Sequence, residues 1–416
     1  MATVTVAGAA ALAMALSGCS GSDGGSSGRT TIRFSFLWTG KEADALQSVV
    51  KQFNASQSKI TVDAVSNPNQ TKQLASMSST NGSFDVSDSF GANVGTWASK
   101  GILEPLDSYN FDTSDFIPSV LDQDKYKGKL YAVPVAVQEY KLLYNKSEFA
   151  AAGITSPPTT MAELATDIVK TTKQSADGTI TQLGFGGESS YNILSTLGFV
   201  FGGSWDTDGK PSPSDPKNIE ALNWYKTNVL DKLGVNNIAK FEAGYGEYMS
   251  AQDPFYSGKI AMELDTEAQS ANIAKTVPDL NWGVADIPAA SPDLINATQT
   301  YSSMFFVPAN SQHKKEAVTF LKYLTGPKAM LAFTYAIGNL PARTSLLDNS
   351  EYQSLPGFNI WLQGLKSENL FSFAASTYAT QYQADLTTAF SNFALGKSSA
   401  TQAMQSVADK AKSYGQ

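Results

Sequence analysis

The chain has 416 residues, of which 42% are hydrophobic, 11% aromatic and 16% charged, with a formal net charge of −8. At roughly 100–200 residues per domain that length predicts two or three domains, and the acidic balance leaves no basic face for phosphates, which argues against nucleic acid as a partner. One cysteine excludes an intramolecular disulfide and any thiolate cluster, and one histidine excludes multi-histidine metal sites, so neither a metal nor a cofactor is expected.

Residues 2–16 (ATVTVAGAAALAMAL) are uncharged, apolar and small. They match a signal-peptide apolar region and fall short of the ~20 apolar residues a spanning helix needs. Leu16-Ser17-Gly18-Cys19 follows directly. A branched apolar residue, two small residues and a cysteine resemble the lipobox of bacterial lipoproteins, although no Lys or Arg precedes the apolar run. The resemblance implies a signal peptide over 1–18 and a diacylglycerated Cys19. Residues 20–28 (SGSDGGSSG) then read as a flexible tether, giving 19–29 as lipidated cysteine plus tether.

Beyond the tether, strand and helix patterns alternate. Thr31 to Trp38 is rich in β-branched and aromatic residues, and Leu46, Val49, Val50 and Phe53 recur at helical spacing. Ile60 to Val65 alternates as a strand, followed by a helix, a short strand near Phe84 to Val86 and a helix before Gly101. This order predicts βαβ units on a mostly parallel sheet, with ligands at the carboxyl ends of its strands. Trp38 and Phe90 are placed to face such a cleft. From about residue 139 helices dominate. Thr160 and Glu163 form a capping-box pattern, and helices are predicted over 217–230, 314–325, 327–337, 384–395 and 399–414.

In chain order the sequence carries IRFSFLW, FNASQSKITVDAV, FDV, WASKGILEPLD, YKGKLYAVPVAVQEYKLLYNKSEFAAAGI, PPTTMAEL, FYSGKIAMEL, WGVADIPA, HKKEAVTFLKYLTGPKAM and IGNLPAR. As an ordered set these resemble the extracellular solute-binding proteins of ABC importers, in the carbohydrate-binding group that includes maltose-binding protein. The likeness covers nearly all of residues 31–416. It implies an α/β, two-lobed Venus-flytrap fold with three interlobe crossings, near 134–138, 299–304 and 338–343. One lobe would hold 30–134 plus 304–338, the other 139–299 plus 344–416.

The resemblance also implies a ligand cleft, and a saccharide there needs aromatic faces with carboxylates, amides and Arg around them. Trp38, Lys41 and Glu42 lie at the turn that family members place at the cleft. Asp88, Ser89 and Phe90 follow the FDV strand, where the family has a ligand-contacting loop. Glu139 lies just past the first crossing, as an acceptor or as half of a hinge salt bridge. Glu188 and Tyr191 follow GFGG, and Trp205 with Asp206 follows FGG, as a stacking platform with its carboxylate or as part of a turn. Asp265 and Glu267 follow GKIAMEL, where Thr266 and Ala268 replace the Gly and Trp of many relatives. Tyr378 and Tyr382 precede a C-terminal helix where the family supplies aromatic contacts. Arg343 either bonds a hydroxyl or pins the hinge.

The expectation is therefore a monomeric lipoprotein at the extracellular face of the membrane, held through Cys19. It would capture an oligosaccharide and pass it to permease subunits without catalysing a reaction. His313 sits beside two lysines and reads as a surface residue, and GFGGES is not the G-x-S-x-G elbow. A glycosidase carboxylate pair at ~5–9 Å is the enzymatic alternative. The same fold holding a polyamine, peptide or polyol is the other.

Overall fold

Alternation in TIRFSF places Ile32, Phe34 and Phe36 on one buried face of strand β1 (Thr30–Phe36). The helix Gly40–Ser56 lays Leu46, Val49, Val50 and Phe53 against that face, as its spacing predicts. Strand β2 (Ile60–Ser66) returns parallel to β1, pairing Thr30 with Ile60 through to Phe36 with Ser66. Strand β3 (Val86–Phe90) joins β1 on its other side, also parallel. Thus the first hundred residues follow the βαβ expectation. The computed structural model describes residues 28–414. The predicted signal peptide, Cys19 and residues 20–27 of the tether lie outside the described residues.

The chain then builds strands β4 (Ala132–Glu139), β5 (Lys141–Asn145), β6 (Gly186–Gly187), β7 (Met262–Asp265), β8 (Trp282–Ala285), β9 (Thr298–Phe306), β10 (Leu340–Pro341) and β11 (Leu370–Phe371). Two sheets result. The larger runs β10-β4-β9-β3-β1-β2, with β11 beside the start of β9; the smaller runs β6-β7-β5-β8. The larger sheet is mixed rather than mostly parallel, which corrects the sequence expectation. β9 runs antiparallel to both β3 and β4. The reason is connectivity: β4 leaves towards the smaller sheet, and β9 brings the chain back in the opposite direction.

Between β4 and β9 the register slips, so that Ser303 faces Ala136 while Met304 faces Pro134. Pro134 has no N–H for the ladder, and a bulge beside it accommodates that loss. Phe34, Phe305 and Phe320 meet edge-on at 5.4–5.6 Å to form the core of this half. In the other half, the helix Ser190–Val200 is buried along most of its length, and the helices Pro216–Tyr225, Ala379–Ala394 and Ala400–Ala411 complete the layer. The Thr160–Glu163 capping box forms, with Glu163 N–H on Thr160 Oγ1 at 3.2 Å. The helix predicted from 384 begins at Ala379, because Tyr382 already belongs to its buried face. Among the described residues no helix is long and apolar enough to cross a membrane.

Candidate binding cleft

The carboxyl ends of β1 and β3 meet where the chain turns into the helix at Gly40. Asp88 fixes this turn: its Oδ1 accepts the Leu37 N–H at 2.7 Å, while Gln73 Nε2 holds the Asp88 carbonyl at 2.8 Å. The result is a recess of about 300 Å³ lined by Trp38, Glu42, Asp88, Ser89, Phe90 and Ser303. Trp38 is half-buried, its ring edge-on to Phe305 and Phe333 at 5.6 and 5.2 Å. Phe90 is 47% exposed, an open aromatic face at the rim. Burial pushes the Asp88 carboxyl up to about 7, and the nearby Glu42 charge adds to this, while the Leu37 N–H works against it. Lys41 is exposed and lies outside the lining.

A second cavity lies between the two halves of the chain. Ala92 and Gln123 line one side, Tyr191, Asp206, Phe373 and Tyr378 line the other, and Tyr301 comes from the crossing strand β9. Only about 30 Å³ is free there, room for about two water molecules, so a larger ligand requires the halves to separate. Thr96 Oγ1 closes the gap by donating to the Ser376 and Thr377 carbonyls at 3.3 and 3.2 Å. Tyr378 donates its hydroxyl to the Asp206 carboxylate. Burial pushes the Asp206 carboxyl up, and burial together with that carboxylate pushes the Tyr378 phenol up. Phe373 stacks between Tyr191 and Trp205 at 6.3 and 6.2 Å. This cavity offers aromatic surface, one carboxylate (Asp206) and two amides (Gln123 and Gln383), and among the described residues no Lys or Arg lines either space.

Residues 39–331 match the family of bacterial extracellular solute-binding proteins. The chain belongs to that family. A binding protein of Brucella abortus is 30% identical over 254 residues, 58% of this chain and 58% of its own length. The chain thus spans less than two thirds of the curated relatives it matches first. A mannitol-binding protein of Pseudomonas aeruginosa is 26% identical over 300 residues, 68% of this chain and 67% of that one. The structure of CpMnBP1 with mannotriose bound superposes with a TM-score of 0.79 at 27% identity, covering 92% of this chain and 100% of that one. The fold is accordingly the two-lobed one, and these relatives are binding proteins by name.

Within this solute-binding protein several expected cleft residues stand elsewhere. Trp205 is 1% exposed, so it has no free face for a ligand; its Nε1–H donates to the Ser195 carbonyl at 2.9 Å. Its ring also fills the space a side chain at Gly198 would need. Tyr382 reaches the cavity wall but is buried, with its hydroxyl on the Trp205 carbonyl at 2.8 Å. Glu139 is fully buried and pairs with buried Lys141 at 2.7 Å, and Lys141 also holds Asp286 at 2.6 Å. Glu139 thus sits in a buried ion pair and lines neither space. Glu267 is buried beside it, accepting the Glu139 N–H at 3.3 Å and Asn339 Nδ2–H at 3.1 Å. Arg343 lines neither space: it donates to Asp115 at 3.0 Å and the Thr325 carbonyl at 2.6 Å, over the Phe116 ring.

Asp265 is buried behind Tyr248 and Gln269, each donating to it at 2.9 Å. Burial pushes both it and neighbouring Glu263 up. Glu188 is exposed and accepts from Asn192 at 2.9 Å. Sequence reasoning missed Tyr301, Phe373 and Gln123. The aromatic run FSF after the third crossing was a usable signal for Phe373. Gln123 and Tyr301 carried none, because only the sheet brings their segments together.

Proposed function

We propose that this solute-binding protein captures an oligosaccharide between its lobes and delivers it to the permease of an ABC importer. Supporting this reading is the interlobe cavity, where Tyr191, Tyr301 and Tyr378 share the lining with the Asp206 carboxylate, to which Tyr378 donates. Aromatic faces suit the C–H faces of a sugar, and a carboxylate suits its hydroxyls. The names of mannotriose-bound CpMnBP1 and the mannitol-binding relative agree with a carbohydrate or polyol. In this reading the lobes comprise 30–134 plus 304–338 and 139–299 plus 344–416. The segments at 134–138, 299–304 and 338–343 form the hinge. Ligand stabilises the closed arrangement by its higher affinity for it, and the protein itself catalyses nothing. Cys19, diacylated, anchors a monomer at the extracellular membrane face, since two acyl chains give stable anchoring.

The test is a thermal-shift screen of the full chain against mannotriose, maltotriose, mannitol and spermidine. Ligand at 100 times its Kd adds about 2.7 kcal/mol to stability, so a rise with one of the saccharides is expected, and a rise with mannitol alone would favour the polyol alternative. A rise with spermidine alone overturns the carbohydrate reading. Separately, Cys19→Ser is expected to move the protein from the membrane fraction to the soluble one, and retention would refute the anchor.

A further inference from the structure

Gln123 sits in the single turn Asp122–Asp124 and is 5% exposed, yet it lines the interlobe cavity. Its Oε1 accepts the Ser302 backbone N–H at 3.0 Å. A backbone N–H can only donate, so this bond fixes which arm of the amide is oxygen and leaves Nε2 as the other. Nε2 has no acceptor among the described residues. Around it the packing is tight: a Cβ added at Gly91 would lie 2.7 Å from Ser302 Oγ and 2.9 Å from Gln123 Cβ. Gly91 therefore keeps the space in which this amide is held. A buried donor without a partner is costly, and an amide locked at one end cannot turn away to find another.

From this we propose that the Gln123 Nε2–H₂ group is a specificity-determining donor, reading an acceptor oxygen on the bound saccharide. The inference rests on the saccharide reading above. A sugar hydroxyl accepting from Gln123 can donate its own O–H to Asp206, which lines the same cavity. One lobe would thus supply the donor and the other the acceptor, so that full recognition requires closure.

Gln123→Glu tests this, because it keeps an oxygen for the Ser302 N–H and replaces the donor by a second oxygen. Native and variant full chains are titrated calorimetrically with mannotriose, maltotriose, mannitol and spermidine at pH 8 and pH 5.5. At pH 8 the variant is expected to melt below the native temperature, because it buries an unpaired carboxylate, while the Kd for the saccharide that binds rises about tenfold or more, ~1.4 kcal/mol. Partial recovery is expected at pH 5.5, because burial raises the pKa of the introduced carboxyl and its protonated form again donates. A role confined to holding Ser302 would leave Kd unchanged. If Gln123→Glu does not fold, Gln123→Asn, too short to reach, must show the same loss of affinity. Sugar binding with unchanged Kd overturns this inference and leaves the functional reading standing. Binding of spermidine alone overturns both, since an alkylammonium offers no acceptor.

Discussion

Two aromatic rings show how the same side-chain chemistry divides between core and cleft. Trp205 is enclosed by Phe199, Phe373 and Phe390 within 5.5–6.4 Å, whereas Phe90 stands 47% exposed on the recess rim. Trp205→Ala is expected to cost about 3–5 kcal/mol of stability through the cavity it leaves, read as a lowered urea midpoint. Phe90→Ala is expected to leave that midpoint near native and weaken saccharide binding by ~1 kcal/mol; unchanged binding in calorimetry would remove Phe90 from the site. Asp88 adds a pH signature. Its folded-state pKa of about 7 stands above the ordinary 3.8, so between those values the folded chain holds a proton that the unfolded chain has released. Stability from this group therefore falls as pH rises from about 4 to 7. Asp88→Asn keeps the acceptor for Leu37 and removes the titration. Relative to native, the variant should gain ~2 kcal/mol between pH 5 and pH 8 in urea unfolding, and a constant difference across pH would show that Asp88 does not titrate this way.

The short helix Val94–Ser99 is where the halves of the molecule touch. A Cβ at Gly95 would run into the Ser376 backbone, which cannot swing aside as a side chain can. In an exposed helix Gly→Ala would gain about 1 kcal/mol from propensity. Gly95→Ala is expected instead to push the 373–378 loop away, raising the radius of gyration in solution scattering and weakening saccharide binding. Unchanged scattering would mean that the contact does not set the closed arrangement. This pairing of distant segments also marks what the sequence could not reveal. β1, its helix and β2 were legible, because burial there follows a period within one stretch of chain. The capping box was legible because its partners lie three residues apart. Trp205 was misplaced because its burial depends on Gly198, Phe373 and Phe390, residues far apart in sequence. The role of Glu139 is not legible in the sequence because its partner Lys141 is itself held by Asp286, 145 residues further along the chain.

Charge is a property of the whole molecule. The chain carries a formal −8, and both spaces contain carboxylates (Glu42 and Asp88 in one, Asp206 in the other) without a Lys or Arg in the lining among the described residues. An anionic ligand would meet repulsion on approach and find no cation when bound, and closing the lobes would strengthen that repulsion by excluding water. A neutral saccharide meets neither penalty, because its hydroxyls donate to the carboxylates. Ionic strength separates the two cases: the screening length shrinks from about 30 Å at 0.01 M salt to about 10 Å at 0.1 M. The affinity for a neutral saccharide is therefore expected to stay nearly constant over that range in calorimetric titration. An oligosaccharide of the same linkage bearing a uronate should bind more weakly, most of all at low salt. Tight uronate binding that weakens with added salt would require a cation in the cleft, and would overturn the assignment of this lining to an uncharged ligand.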